Sequence, residues 1–256
     1  MNVRTTRRLA VTFLLAAVLA SGAAAFVDAQ IPQTFKNLRV LPKDIARPAL
    51  IGEMREMAGA LGVRCGHCHP GGNPETLQGV DFASDSLESK RVARTMIRMT
   101  REINSAFLPM TGRDTMRMAR VRCVTCHHGA RRPETLADTL HRALDRGGAP
   151  MVTAAYRSLR EQYYGRAVYD FGEGALWFMA EQATRKAATA EAAIPLLELN
   201  LEFFPKSVNT RIALGDRLIA NGDTAAAIRR WHEALELEPG NRFIQSKLDA
   251  VRGGKR

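Results

Sequence analysis

Cys65-Gly66-His67-Cys68-His69 and Cys123-Val124-Thr125-Cys126-His127 share one pattern, C-x-x-C-H, and its chemistry governs the reading of the chain. Two thiols three positions apart can each add across one vinyl group of the same porphyrin. The histidine directly after the second thiol is then held under the iron as its proximal ligand. The chain has four cysteines, and the two motifs use all of them. Two haem c groups are therefore expected, attached at Cys65, Cys68, Cys123 and Cys126, with His69 and His127 as proximal ligands. Two disulfides, or a zinc site with added histidines, are the competing uses of such pairs. Neither accounts for a histidine directly after both second cysteines.

The N-terminus carries the secretory pattern. Arg4, Arg7 and Arg8 precede an apolar run from Leu9 to Ala20, and Val27-Asp28-Ala29 before Gln30 fits a cleavage site. Residues 1–29 read as a signal peptide, which implies a periplasmic or otherwise exported protein; an uncleaved N-terminal anchor is the alternative. Export agrees with haem, because covalent attachment of haem c takes place outside the cytoplasm. The formal net charge is +11 over 256 residues. A basic surface favours acidic redox proteins or anionic membrane surfaces as partners, and no nucleic-acid partner is expected.

Outward from the first motif, Leu50, Ile51, Met54, Met57, Ala58 and Leu61 recur at helical spacing, with Gly62 as the stop. Proline at 32, 42 and 48 makes the lead-in extended, and the glycines and proline between residues 70 and 81 make a loop. A second helix is expected from about Asp85, with Glu88 in a capping-box relation, running to about Leu108 before Pro109 and Gly112 break it. The architecture thus repeats as helix, connection, C-x-x-C-H. Methionines on these helices are candidate sixth ligands, since a thioether suits a low-spin iron of raised potential. Met54 and Met57 stand one turn apart, as do Met96 and Met99, and Met110, Met116 and Met118 lie nearer the second motif; spacing leaves the choice among them open.

Residues 92–104 (VARTMIRMTREIN) resemble a helix of the cytochrome subunit of photosynthetic reaction centres, Ala-Arg-x-Met-x-x-Met-x-x-x-Ile-Asn, and Cys123 to Gly129 resembles its C-x-T-C-H-x-G motif. The likeness covers about residues 35–132. It implies Met96 rather than Met99 as a distal ligand, and Met54 rather than Met57 on the earlier helix. It departs from the family in having two haem motifs where the subunit has four, and in having no histidine between His69 and His127. Both departures suit His/Met ligation at two sites. A photosynthetic role does not follow from the likeness.

Beyond Arg131 two helices are expected around Gly147-Gly148-Ala149-Pro150, a connector carrying no evident chemistry. The last third has Leu214-Gly215, Gly222, Ala227, Trp231, Ala234 and Pro239 at tetratricopeptide spacings, with Pro205 one 34-residue period before Pro239. A weaker copy begins near Gly174, and Arg242 to Val251 reads as a capping helix. These helices read either as a docking surface for a protein or as a stabilising extension. The fold class is accordingly mainly α: a signal peptide (1–29), a helical dihaem cytochrome c domain (30–132), a helical connector (133–173) and tetratricopeptide-like α-solenoid helices (174–256). No catalytic triad, phosphate loop or carboxylate pair stands out, so no catalytic residues are assigned. The expected function is electron transfer without enzymatic activity. A dihaem peroxidase-like enzyme and a haem-linked scaffold are the alternatives.

Overall fold

A computed structural model of the protein describes residues 31–114 and 117–253. The expected signal peptide and Met116 lie outside the described residues. The chain divides into two compact units, Met1–Pro133 and Glu134–Arg256. The described residues are mainly helical and contain no strand.

In the first unit, α1 (Arg47–Leu61) begins with Pro48 in its first turn and ends at Gly62 in the left-handed region, as the sequence implies. A 3-10 turn, Cys65–His67, follows at once and carries the first motif. Helix α2 starts at Glu88, three residues later than the capping-box reading, and runs to Glu102. The reason is electrostatic: the Asp85 carboxylate pairs with Arg94 at 2.8 Å, Arg39 at 3.4 Å and Lys90 at 3.5 Å, and so does not cap the helix. Asn37 Nδ2 also donates to it at 2.9 Å. Arg94 and Arg101 further donate to the carbonyls of Asn37 and Val40, so the extended lead-in is tied to α2. A π-helical turn (Ile103–Phe107) and one more helical turn (Leu108–Met110) extend α2. The second motif is itself a short helix, α3 (Cys123–His127).

Helix α1, which precedes the first motif, packs against α3, the second motif. Their contact is made through glycine. Gly129 N donates to Ala60 O at 2.8 Å, and a Cβ placed on Gly62 would stand 2.1 Å from Gly129 O. Gly62 also has φ of 64°, a conformation costly to any other residue. The buried apolar side chains of this unit (Leu41, Leu50, Ile51, Ala60, Leu77, Ile97 and Ala130) are dispersed, whereas Val92, Met99, Phe107, Met110 and Val124 are exposed.

The second unit has a continuous core. Helix α4 (Leu136–Tyr163) is capped by Thr135 and is broken by non-helical Gly147 and Gly148, in agreement with the two expected segments. It packs on α5 (Gly174–Ala183) and α6 (Ala193–Phe203). Leu140, Val152, Tyr156, Leu176, Leu196, Leu197 and Leu214 are fully enclosed among them. Helices α5 and α6 are followed by α7 (Val208–Ala220) and α8 (Thr224–Leu237). Trp231 of α8 lies so close over Gly215 of α7 that a Cβ there would meet its ring at 2.3 Å. Helix α9 (Arg242–Gly253) covers the end with Ile244 and Leu248. Buried Asn200 donates to Thr210 Oγ1 at 2.8 Å and to Glu173 O at 3.0 Å, joining α5, α6 and α7.

Gly62→Ala should lower unfolding stability by more than about 2 kcal/mol, since backbone strain and the clash with Gly129 add. Gly112→Ala, at φ 69° with no atom near its Cβ position, should cost only about 1 kcal/mol. Denaturant titration of the two variants separates the contributions.

Candidate haem sites

The two motifs present their donors in different surroundings. At the first, the chain leaves α1, makes the 3-10 turn, and turns back so that His69 lies against the Phe82 ring, with centroids 5.0 Å apart. Burial is the main cause that lowers the His69 pKa to about 4, with Lys90 adding to it; the Phe82 carbonyl and Asp81 oppose them. The imidazole is therefore neutral at ordinary pH, the form that ligates a metal. Its Nδ1 is buried without a hydrogen-bond partner. Ser89, in the first turn of α2, donates to the carbonyl of His67. Beside it, Lys90 Nζ donates to Ser84 O at 2.6 Å and to Phe82 O at 2.8 Å. The loop between motif and helix is closed by Asp81 N donating to Pro70 O at 2.8 Å and by an Asn73 turn.

At the second motif, Arg122 N donates to Thr125 Oγ1 at 3.0 Å, opening the short helix. His127 Nδ1 lies 2.9 Å from Ala130 O. A carbonyl can only accept, so Nδ1 is the donor and Nε2 is the ring nitrogen left to face a metal. This is the orientation that a metal-bound histidine takes from its outer partner. The approach to the motif is held by Asn104, whose Oδ1 accepts from Val121 N at 2.9 Å while its Nδ2 donates to Val121 O at 2.7 Å. Arg122 pairs with Glu56 of α1 at 3.5 Å.

The four thiols are not paired with one another. Burial pushes the Cys68 and Cys123 thiols up, so both stay protonated at neutral pH. Among the described residues no group of three or more His, Cys, Asp or Glu side chains is placed to hold a metal ion. Each motif instead offers one histidine nitrogen to a metal and two thiols to the vinyl groups of a porphyrin. That arrangement suits an iron whose equatorial ligands come from the porphyrin. A half-buried, neutral His69 whose Nδ1 has no partner and a His127 oriented through Ala130 both fit the group, as do the apolar side chains exposed on α2 and its extension.

Of the methionines, Met54, Met57 and Met96 are half-buried, Met99 is 42% exposed and Met110 80% exposed. Met118 is half-buried beside the Thr111 hydroxyl, 3.8 Å away. His67 is half-buried, and His128 is exposed in a left-handed conformation. His141 and His232 belong to the second unit. Arg64 pairs with Glu75 at 3.3 Å in solvent, a contact worth little. Sequence reasoning missed Ser89, Lys90, Phe82 and the Ala130 carbonyl, which are contacts across loops with no spacing signature. Asn104 stood in the family-like helix without an assigned role.

Residues 30–151 match the family model of the photosynthetic reaction centre cytochrome C subunit. With its two C-x-x-C-H motifs, this segment is similar to c-type cytochromes, the electron-transfer proteins that carry covalent haem c. The match extends past the expected domain end at residue 132, into α4. Cytochrome c-554 of Chloroflexus aurantiacus is 36% identical over 74 residues, which is 29% of this chain and 16% of that protein. The chain thus spans about a sixth of the length of the relative it matches.

Asn104→Ala should loosen the approach to the second motif and destabilise the first unit by about 1 kcal/mol, the cost of losing hydrogen bonds to partly buried backbone groups. Faster amide exchange at Val121, with exchange in α5 to α8 unchanged, is the expected readout.

Proposed function

We propose that the protein is an exported dihaem c-type cytochrome that passes electrons between redox partners. The observation that carries the reading is the pair of C-x-x-C-H motifs, each on its own helical turn, within a segment that matches a cytochrome family. Cys65 and Cys68 hold one haem and Cys123 and Cys126 the other, through thioether bonds. His69 and His127 would each ligate an iron, the second oriented by Ala130 O. Met54 and Met96 would supply the further ligands that the family resemblance implies. Haem c, when bound, supplies one-electron exchange between ferrous and ferric iron. The chain's own part is to hold both groups in one small unit, where α1 bridges toward the second motif, and to keep water from the irons with α2 and its apolar extension.

The basic chain, at +11, fits acidic or membrane-bound redox proteins as donors or acceptors. The second unit resembles two tetratricopeptide-like helix pairs with a capping helix, and we assign it a docking role for one such protein. No described helix is long and apolar enough to cross a membrane; retention at the membrane would rest on the N-terminal segment or on a partner.

Intact mass and pyridine haemochrome spectra of the exported protein should give two covalent haems, and Cys65→Ala with Cys68→Ala should leave one. The reduced protein should not bind carbon monoxide. Ready binding at one haem would replace electron transfer with a peroxidase-like reading.

Met96→Ala should abolish one methionine–iron charge-transfer band and convert one haem to high spin, whereas Met99→Ala should leave both spectra intact. The reverse result would overturn the ligand assignment.

A further inference from the structure

The charges beside the two motifs differ in burial. Lys90 and Arg94 have side chains only 11% and 13% exposed and lie at the first site. Lys90 is fixed there by the carbonyls of Phe82 and Ser84 and by the Asp85 carboxylate, three oxygen acceptors around one nitrogen, as an ammonium requires. Phe82 is the residue whose ring contacts His69. Asp81 also faces this site, and Asp85 divides its charge among Arg94, Arg39 and Lys90. At the second motif the paired charges are in solvent: Arg122 is 62% and Glu56 43% exposed, and water screens them. His127 donates from Nδ1 to the Ala130 carbonyl, which raises its basicity as a ligand and favours the oxidised metal. The Nδ1 of His69 has no such partner.

We propose that Lys90 sets the reduction potential of the haem site built on Cys65, Cys68 and His69 above that of the site built on Cys123, Cys126 and His127. The inference rests on the dihaem reading above. Reduction adds one negative charge to a site, so a buried cation beside it favours the reduced form, and low local dielectric prolongs that effect. In the protein holding a single transferable electron, the electron then resides at the first site. If it starts at the second, one electron leaves that iron, which is oxidised from ferrous to ferric, and reduces the first from ferric to ferrous, with no other reactant. The second site becomes the entry side for electrons and the first the exit side.

Spectroelectrochemical titration of the full-length protein with its haems loaded tests this. The wild type should show two waves. Lys90→Gln keeps a donor for the Phe82 and Ser84 carbonyls but removes the charge. It should lower the upper wave by about tenfold in the electron's partition, about 59 mV for one electron, and leave the lower wave in place. Lys90→Arg should retain the wild-type gap. Asp85→Asn, which removes the opposing charge, should raise the upper wave, and it carries the test if Lys90→Gln does not assemble. An upper wave that stays fixed in Lys90→Gln or falls in Asp85→Asn, or a lower wave that moves equally, overturns the proposal. The haem count by mass separates the two levels. Two haems with unresponsive waves end this inference alone, and fewer than two end the dihaem reading with it.

Discussion

The first unit depends on a backbone contact with no room for a side chain. Gly62 closes α1 and meets Gly129, the residue that follows the second motif by two positions, while Gly129 N donates to Ala60 O. Both glycines have positive φ, so each turns the chain sharply where the other passes. The first motif leaves from one side of this contact and the second arrives at the other. Any side chain here would push the two motifs apart.

Around this contact each motif is built by elements that its own segment does not supply. Helix α1 precedes the first motif but lies against the second. The start of α2 follows the first motif and holds it, through Ser89 on the His67 carbonyl and Lys90 on the carbonyl of Phe82. Asp85 and the arginines of α2 bind the lead-in chain to the same helix. Interactions with Arg94 and Asn37 hold the Asp85 carboxyl well below the usual carboxylate range, so the hub is charged at neutral pH.

The two units reach stability in different ways. The second closes a continuous apolar core around Tyr156, Leu176, Leu196 and Leu214, with Asn200 satisfied inside it. In the first, the buried apolar residues are scattered, and much of its apolar surface stands on the face of α2 and the turns after it. On the proposed dihaem reading, porphyrins would provide the apolar area that side chains supply elsewhere.

Much was legible in the chain itself. Paired cysteines with a following histidine are a local pattern, complete within five residues, and the Gly62 stop and the break at Gly147-Gly148 are local too. Local geometry and side-chain chemistry suffice for each of these. Helix α2 does not take the capping-box start because Asp85 is claimed by Arg94, 9 residues on, and by Asn37, 48 residues back. The packing of α1 on the second motif, the Ala130 carbonyl behind His127 and the buried Lys90 beside His69 were decided only by tertiary structure. They join residues brought together by loops, and spacing along a chain carries no record of which carbonyl or charge a loop will bring to a site.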